Sequence, residues 1–242
     1  MPQPSPLNPL HRSRLASLLA EHGVAAPRGE FAERLGRLVD LADSIRLSAA
    51  QLRRPQTDSG SGMPAERITG DFLDTRATVI QSAMHSFIPG AVPTRTKLPV
   101  VDGKTPWEEA SLPEPWLKFY RARQRDVEFR LRNLRERVRY GLSGQSPELA
   151  RLAALDEALG DIIDQQAARC YQAVPRLLAQ RFEQLLDRQR AQRAGETDLL
   201  PGWPQQMQHY RAYMQSLLLA EIDARLLPVL GLVEALQEQD RL

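Results

Sequence analysis

This sequence predicts an all-α fold: an elongated helical bundle built on a long antiparallel, coiled-coil-like helical hairpin and completed by a C-terminal helix. Three observations carry that expectation. Leu117, Tyr120, Gln124, Val127, Leu131, Leu134 and Val138 fall at strict 3,4 spacing, a heptad seam. The run Ser143-Gly144-Gln145-Ser146-Pro147 then breaks the pattern before a second, longer helical stretch. Finally, 42% of the 242 residues are hydrophobic but only 6% aromatic, Leu and Ala dominate, and no alternating segment is long enough to read as a strand.

Residues 1–53 read as an N-terminal helical module. Leu10, Leu15, Leu18 and Leu19 mark a first short helix, with Gly23 as its stop. Phe31, Leu35, Leu38, Leu41, Ile45 and Ala49 mark a second. Pro, Ser and Gly dominate the stretch 54–63, which reads as a flexible linker. Pro64 is placed to open a helix over 64–87, with Ile68, Phe72, Thr75, Val79 and Met84 as inward candidates.

Six prolines punctuate 88–115, so this segment is a linker or a strap along the helices. The anchors Leu98, Val100, Val101, Trp107 and Leu112 favour the strap.

Residues 116–242 read as a long three-helix antiparallel bundle. The first arm, 116–141, is about 40 Å long and the return arm to 193 about 70 Å, from a rise of about 1.5 Å per residue. The first arm therefore covers only the near half of the return helix. Val174, Leu177, Leu178, Phe182, Leu185 and Leu186 lie beyond it and call for a helix starting near Gln205, with Tyr210, Met214, Leu217, Leu218, Ile222 and Leu226 on its inner side. Pro175 and Pro228 are expected to kink or break these patterns.

Little in the sequence points to catalysis. Gly103-Lys104-Thr105 hints at a phosphate loop, but the glycine required five positions earlier is Leu98. His11, His22, His85 and His209 are isolated, and Cys170 is the single cysteine, so no catalytic residue, metal or cofactor is expected. Cys170 reads as a small core filler. No apolar run long enough to span a bilayer is free of charges, because Glu221, Asp223 and Arg225 interrupt the longest. With no secretory signal at Met1-Pro2-Gln3-Pro4, the expected location is the cytoplasm, without direct membrane insertion.

Charge is the sharpest signal. The formal net charge is only +2, yet 114–140 holds nine basic residues against four acidic ones. With the seam at a and d, Arg123, Arg130 and Arg137 fall at g, where they are expected to pair with the acidic ribbon Asp156, Glu157, Asp161 and Asp164 on the return arm. Folding the hairpin with Gly141 opposite Pro147 sets 132 near 156 and 124 near 164. Lys118, Arg125, Arg132 and Arg139 fall at b and are expected to point outward. That row is the predicted partner-binding surface, suited to an acidic protein face, phosphate backbones or anionic lipid, with Phe119 and Phe129 as the aromatic candidates for stacking. Gln124 in the seam also leaves self-association open.

Several stretches carry a family resemblance: FAERLGRLVDLADSIRLSAA (31–50), FYRARQRDVE (119–128), SPELARLAALDEAL (146–159), VPRLLAQRFEQL (174–185) and LLLAEIDARLLPVLGLVEAL (217–236). Through them the chain resembles an uncharacterised proteobacterial family of all-helical proteins, a domain of unknown function. That family is often encoded beside membrane proteins similar to flagellar stators and peptidoglycan-binding proteins. The resemblance implies a cytoplasmic accessory of a stator-like membrane complex, peripheral to the inner membrane through a partner. The expected function is a non-enzymatic helical adaptor, with a nucleic-acid-binding accessory as the alternative.

Overall fold

The computed structural model describes residues 14–15, 63–91, 96–102, 104–195 and 202–241, except the side chains at 161–163, 165 and 166. Apart from Arg14 and Leu15, the expected N-terminal module lies outside the described residues, as does the expected linker apart from Met63. Within them the chain is helical, in the order α1 (Ala65–Ser86), α2 (Trp107–Ala110), α3 (Glu114–Ser143), α4 (Pro147–Arg193) and α5 (Trp203–Gln239). No strand occurs among the described residues.

The α3–α4 hairpin turns through Gly144-Gln145-Ser146. Ser146 caps α4, its hydroxyl accepting from the Leu149 N–H at 3.2 Å, and Pro147 occupies the first turn, where no N–H partner is needed. The same hydroxyl donates to Gln239 Oε1 at 2.9 Å, tying the end of α5 to the turn. Gln145 Nε2 donates to the Met63 carbonyl and so fixes the start of α1 there too.

The seam is buried as its spacing requires, with Tyr120, Leu134 and Val138 at 0–1% exposure and Gln124 half-buried. Val174, Leu177, Leu178, Phe182 and Leu186 of α4 are buried with α5 packed along them; since Gln124 meets Tyr171, α3 from Glu114 still runs beside the first three, further than its length alone suggested. Tyr210 donates to the Leu178 carbonyl at 3.0 Å, and Gln206 Nε2 to Gln189 Oε1 at 2.9 Å. Rings meet edge to face along this end, Trp107 with Trp203, Trp203 with Phe182, Phe182 with Tyr210, and Tyr210 with Trp116, at centroid separations of 5.4–5.7 Å. Trp203 Nε1 donates to the Ala110 carbonyl at 3.0 Å, and the Arg193 guanidinium lies 3.8 Å from the centre of the Trp107 ring. In the Pro-rich segment Leu98, Val101 and Trp107 pack on the core, whereas Val100 and Leu112 are about half exposed.

Helix α1 adds a fourth rod. It runs antiparallel to α3, with Ile68 against Gly141 and Phe87 against Phe119, and also packs on α5. Parallel α3 and α5 thus form the middle of the bundle, with α1 on one side of the pair and α4 on the other.

Three expectations are revised here. Met84 is 47% exposed; Ala83, Ser86 and Phe87 face inward instead, because Met84 lies five residues after Val79, off the buried stripe. Cys170 is exposed rather than a core filler. The neighbouring Tyr171 takes the inward position, its carbonyl accepting from Gln124 at 3.1 Å and its ring covered by Arg225. Pro175 and Pro228 break neither helix: α4 and α5 continue through them.

Gly141 is where α1 and α3 come closest. A Cβ there would sit 2.7 Å from Ile68 Cδ1 and 2.8 Å from Cγ1, and Ile68 is itself buried. Gly141→Val is therefore expected to lower stability by about 2 kcal/mol, read from urea denaturation, as overpacking in a tight interface does.

Candidate functional site

The four residues of the predicted outer row divide once α3 is in place. Lys118 and Arg125 are exposed and make no ion pair among the described residues. Arg132, 62% exposed, reaches back one turn to Glu128 at 2.7 Å. Arg139 does not belong to the row. Its Nε lies 2.6 Å from Asp156 Oδ2 and its Nη2 donates to the Asp156 carbonyl at 2.8 Å. Gly160 makes this possible, because a Cβ at that position would stand 2.7 Å from Arg139 Nη2. A flat guanidinium can lie on α4 only where the side chain is missing.

The inner pairing also differs from expectation. Arg137 donates to Asp71 of α1 at 2.8 and 3.1 Å, and Arg130 pairs with Asp126 on its own helix at 3.2 Å. Arg123 lies 5.6 Å from the centre of the Phe119 ring. The g side of α3 faces α1, not α4, and among the described residues none of these arginines pairs with the acidic ribbon.

Arg135 takes the ribbon instead, with Asp156 at 2.7 Å and Asp164 at 3.1 Å. The helix continues past Gly141 to Ser143, which shifts the hairpin register: 135 and 139 flank 156, and 124 meets 171 rather than 164. Burial works to raise the Asp156 carboxyl, but the Arg135 and Arg139 guanidiniums outweigh it and hold the group below its ordinary value of 3.8.

The expected aromatics likewise divide. Phe119 is buried against Phe87, while Phe129 is 63% exposed. Tyr140, which the sequence reading did not single out, is 78% exposed on the same outward side. It lies eleven residues, or three helical turns, beyond Phe129. Its signal was available in that spacing.

A second polar feature lies inside the bundle. Glu221 of α5 has no exposed surface. Its Oε1 receives Arg225 Nε and Nη2 at 2.9 and 2.8 Å; its Oε2 receives Gln124 Nε2 at 2.8 Å and the Tyr120 hydroxyl at 3.5 Å. The Arg225 guanidinium also stacks 3.7 Å from the centre of the Tyr171 ring. Burial raises the Glu221 carboxyl above its ordinary 4.5, opposed chiefly by Arg225 and then by Gln124 and Tyr120. Burial likewise pushes Tyr171 up to about 12 and holds Tyr120 well above its ordinary value. Every neighbour of the carboxylate donates to it and none is positioned as a nucleophile. This arrangement binds three helices together rather than presenting an acid to solvent.

Two smaller features complete the survey. An open cleft of about 290 Å³ between α1 and α3 is lined by Asp74, Thr75, Thr78, Val79, Arg130, Asn133 and Arg137, and its two arginines are already engaged by acids. Around Lys104, Asp102 folds into a tight turn, its carboxylate accepting from the Lys104 N–H and the Thr105 hydroxyl, both at 2.9 Å. These local bonds lower the Asp102 carboxyl, that from Thr105 foremost. His85 and His209 are exposed and separate, and no group of three His, Cys, Asp or Glu among the described residues could hold a metal ion.

A family model described as protein of unknown function (DUF3348) matches residues 1–238. The chain belongs to the DUF3348 family. No curated protein and no solved structure matches it. For this DUF3348 protein the α3 surface and the Glu221 layer are therefore argued from their own geometry. No helix among its described residues is long and apolar enough to cross a membrane.

Two measurements test the geometry. Glu221→Ala strands Arg225 and Gln124 in the core and is expected to cost about 3 kcal/mol. In a double-mutant cycle with Arg225→Ala, urea denaturation should show strong coupling, the pair costing well under the sum. Asp156→Asn should cost about 3 kcal/mol at neutral pH by the same reasoning. Since the folded-state value of Asp156 is depressed, its contribution is complete above the ordinary 3.8 and is lost as pH falls through the lower folded value. Variant and wild-type stabilities should therefore converge in strong acid.

Proposed function

We propose that this protein is a non-enzymatic helical adaptor whose partner is another protein. The observation that supports this reading is the outward face of α3, which no other element among the described residues covers and which carries Lys118, Arg125 and the exposed rings of Phe129 and Tyr140 along one side. Exposed aromatic area amid unpaired cations is a feature of partner surfaces. The rigid bundle behind it supplies a fixed frame.

The resemblance to a proteobacterial family encoded beside stator-like and peptidoglycan-binding membrane proteins gives the reading its setting. We place the adaptor in the cytoplasm as an accessory of a stator-like complex, held at the inner membrane through its partner. A tagged full-length chain purified at low salt from its own host should carry a stoichiometric protein partner. Lys118→Glu/Arg125→Glu should release that partner while leaving the circular dichroism spectrum intact. A wild-type chain that purifies alone and monomeric overturns the reading.

The exposed rings of Phe129 and Tyr140 favour one second reading, single-stranded nucleic acid stacked along the same face. In a gel-shift titration that reading requires binding that weakens steeply with salt and is abolished by reversing Lys118, Arg125 and Arg132. Binding indifferent to those reversals removes it.

A further inference from the structure

The uncovered face of α3 has a periodicity of its own. Lys118, Ala122, Arg125, Phe129, Arg132 and Glu136 follow one another at alternating steps of four and three, and Tyr140 stands one turn further on. That is the spacing with which one helix presents a ridge to another. Either flank of the ridge is occupied, by Arg137 bonded to Asp71 of α1 and by Arg135 and Arg139 bonded to Asp156 of α4. Between them the ridge is open to solvent from Lys118 to Tyr140, 22 steps along the helix, or about 33 Å at a rise of about 1.5 Å per residue. Its largest apolar members, Phe129 and Tyr140, are 63% and 78% exposed.

We infer that this ridge seats one further helix, an acidic amphipathic segment about six turns long contributed by a different protein. The inference rests on the adaptor reading above and specifies the partner it needs. The charges along the ridge decide the occupant. Lys118 and Arg125 at one end make no ion pair among the described residues, and the sign then reverses at Glu136. Glu128, paired with Arg132, adds a second acid beside the ridge. A phosphodiester backbone carries one sign at constant spacing and would meet both acids unfavourably. A helix can set carboxylates opposite Lys118 and Arg125, apolar side chains on Phe129 and Tyr140, and a cation opposite Glu136.

A second copy of the chain fits poorly. Parallel ridges would oppose like charges, and antiparallel ridges centred on Phe129 would bring Arg125 against Arg132.

Photo-cross-linking tests this directly. The full chain carrying Phe129→p-benzoylphenylalanine is irradiated in its own host, and the attached peptide is sequenced. Arg188, exposed on α4, serves as the control position. The expected adduct joins position 129 to a segment of another protein whose acidic and apolar residues recur at steps of three and four. Its yield should fall at least tenfold with Lys118→Glu/Arg125→Glu, in a chain whose circular dichroism is unchanged. An adduct with a protein segment of other chemistry overturns this inference and leaves the adaptor reading standing. An adduct with nucleic acid overturns both. A cross-link to a second copy, equal labelling from position 188, or no adduct at all each overturns the inference.

Discussion

The register of the bundle depends on one buried carboxylate. Glu221 can be satisfied only where Arg225 lies one turn above it, Gln124 reaches it from α3, and the amide of Gln124 also meets the Tyr171 carbonyl of α4. Sliding α3 against α5 by one turn would take the Gln124 and Tyr120 donors from a fully buried carboxylate, and sliding α4 would take the Tyr171 carbonyl from the Gln124 amide. Leucine-rich seams are permissive about register, since one Leu layer resembles the next. The polar layer removes that freedom. The aromatic chain at one end and the Gln145 and Ser146 bonds at the other then fall into place as consequences.

The heptad seam was legible because six of its seven positions are apolar or aromatic, Gln124 alone breaking the pattern, and burial follows spacing wherever a helix has one dominant partner. The closure of α4 by α5 was legible from length alone. What the sequence did not disclose was the flank against which α1 packs. That omission turned Arg123, Arg130 and Arg137 toward the wrong helix on paper, although their heptad position was read correctly. Cys170 illustrates a related limit. Its stripe is apolar, but the angular drift of a 47-residue helix and the demands of Tyr171 decide which of two adjacent residues turns in.

The outer row shows why a surface is harder to read than a core. Lys118, Arg125 and Arg132 sit where their spacing puts them, since nothing competes for them. Arg139 has the same heptad letter yet lies down on α4, for a reason carried by a glycine 21 residues away in sequence. Long flexible cations settle wherever an acid and a gap coincide, and a gap is a property of two helices together. Glu221 could be suspected from its place in an apolar run. Arg225 follows it one turn on, but its other donors, Gln124 and Tyr120, come from α3, and no one-dimensional pattern brings them together.

The bonds at the hairpin turn give the molecule a polarity. Met63 and Gln239 are both fastened to the same three-residue turn, so α1 begins and α5 ends at one pole. The 62 residues that precede Met63 thus join the rod at that pole, about 70 Å along the 47-residue α4 from the opposite end, where Trp107 and Arg193 meet. Such a body is a spacer with two distinguishable ends. One continuous helix thus sets the hairpin turn and the Trp107–Arg193 contact at a fixed separation, and the ridge of α3 lies between them along the side.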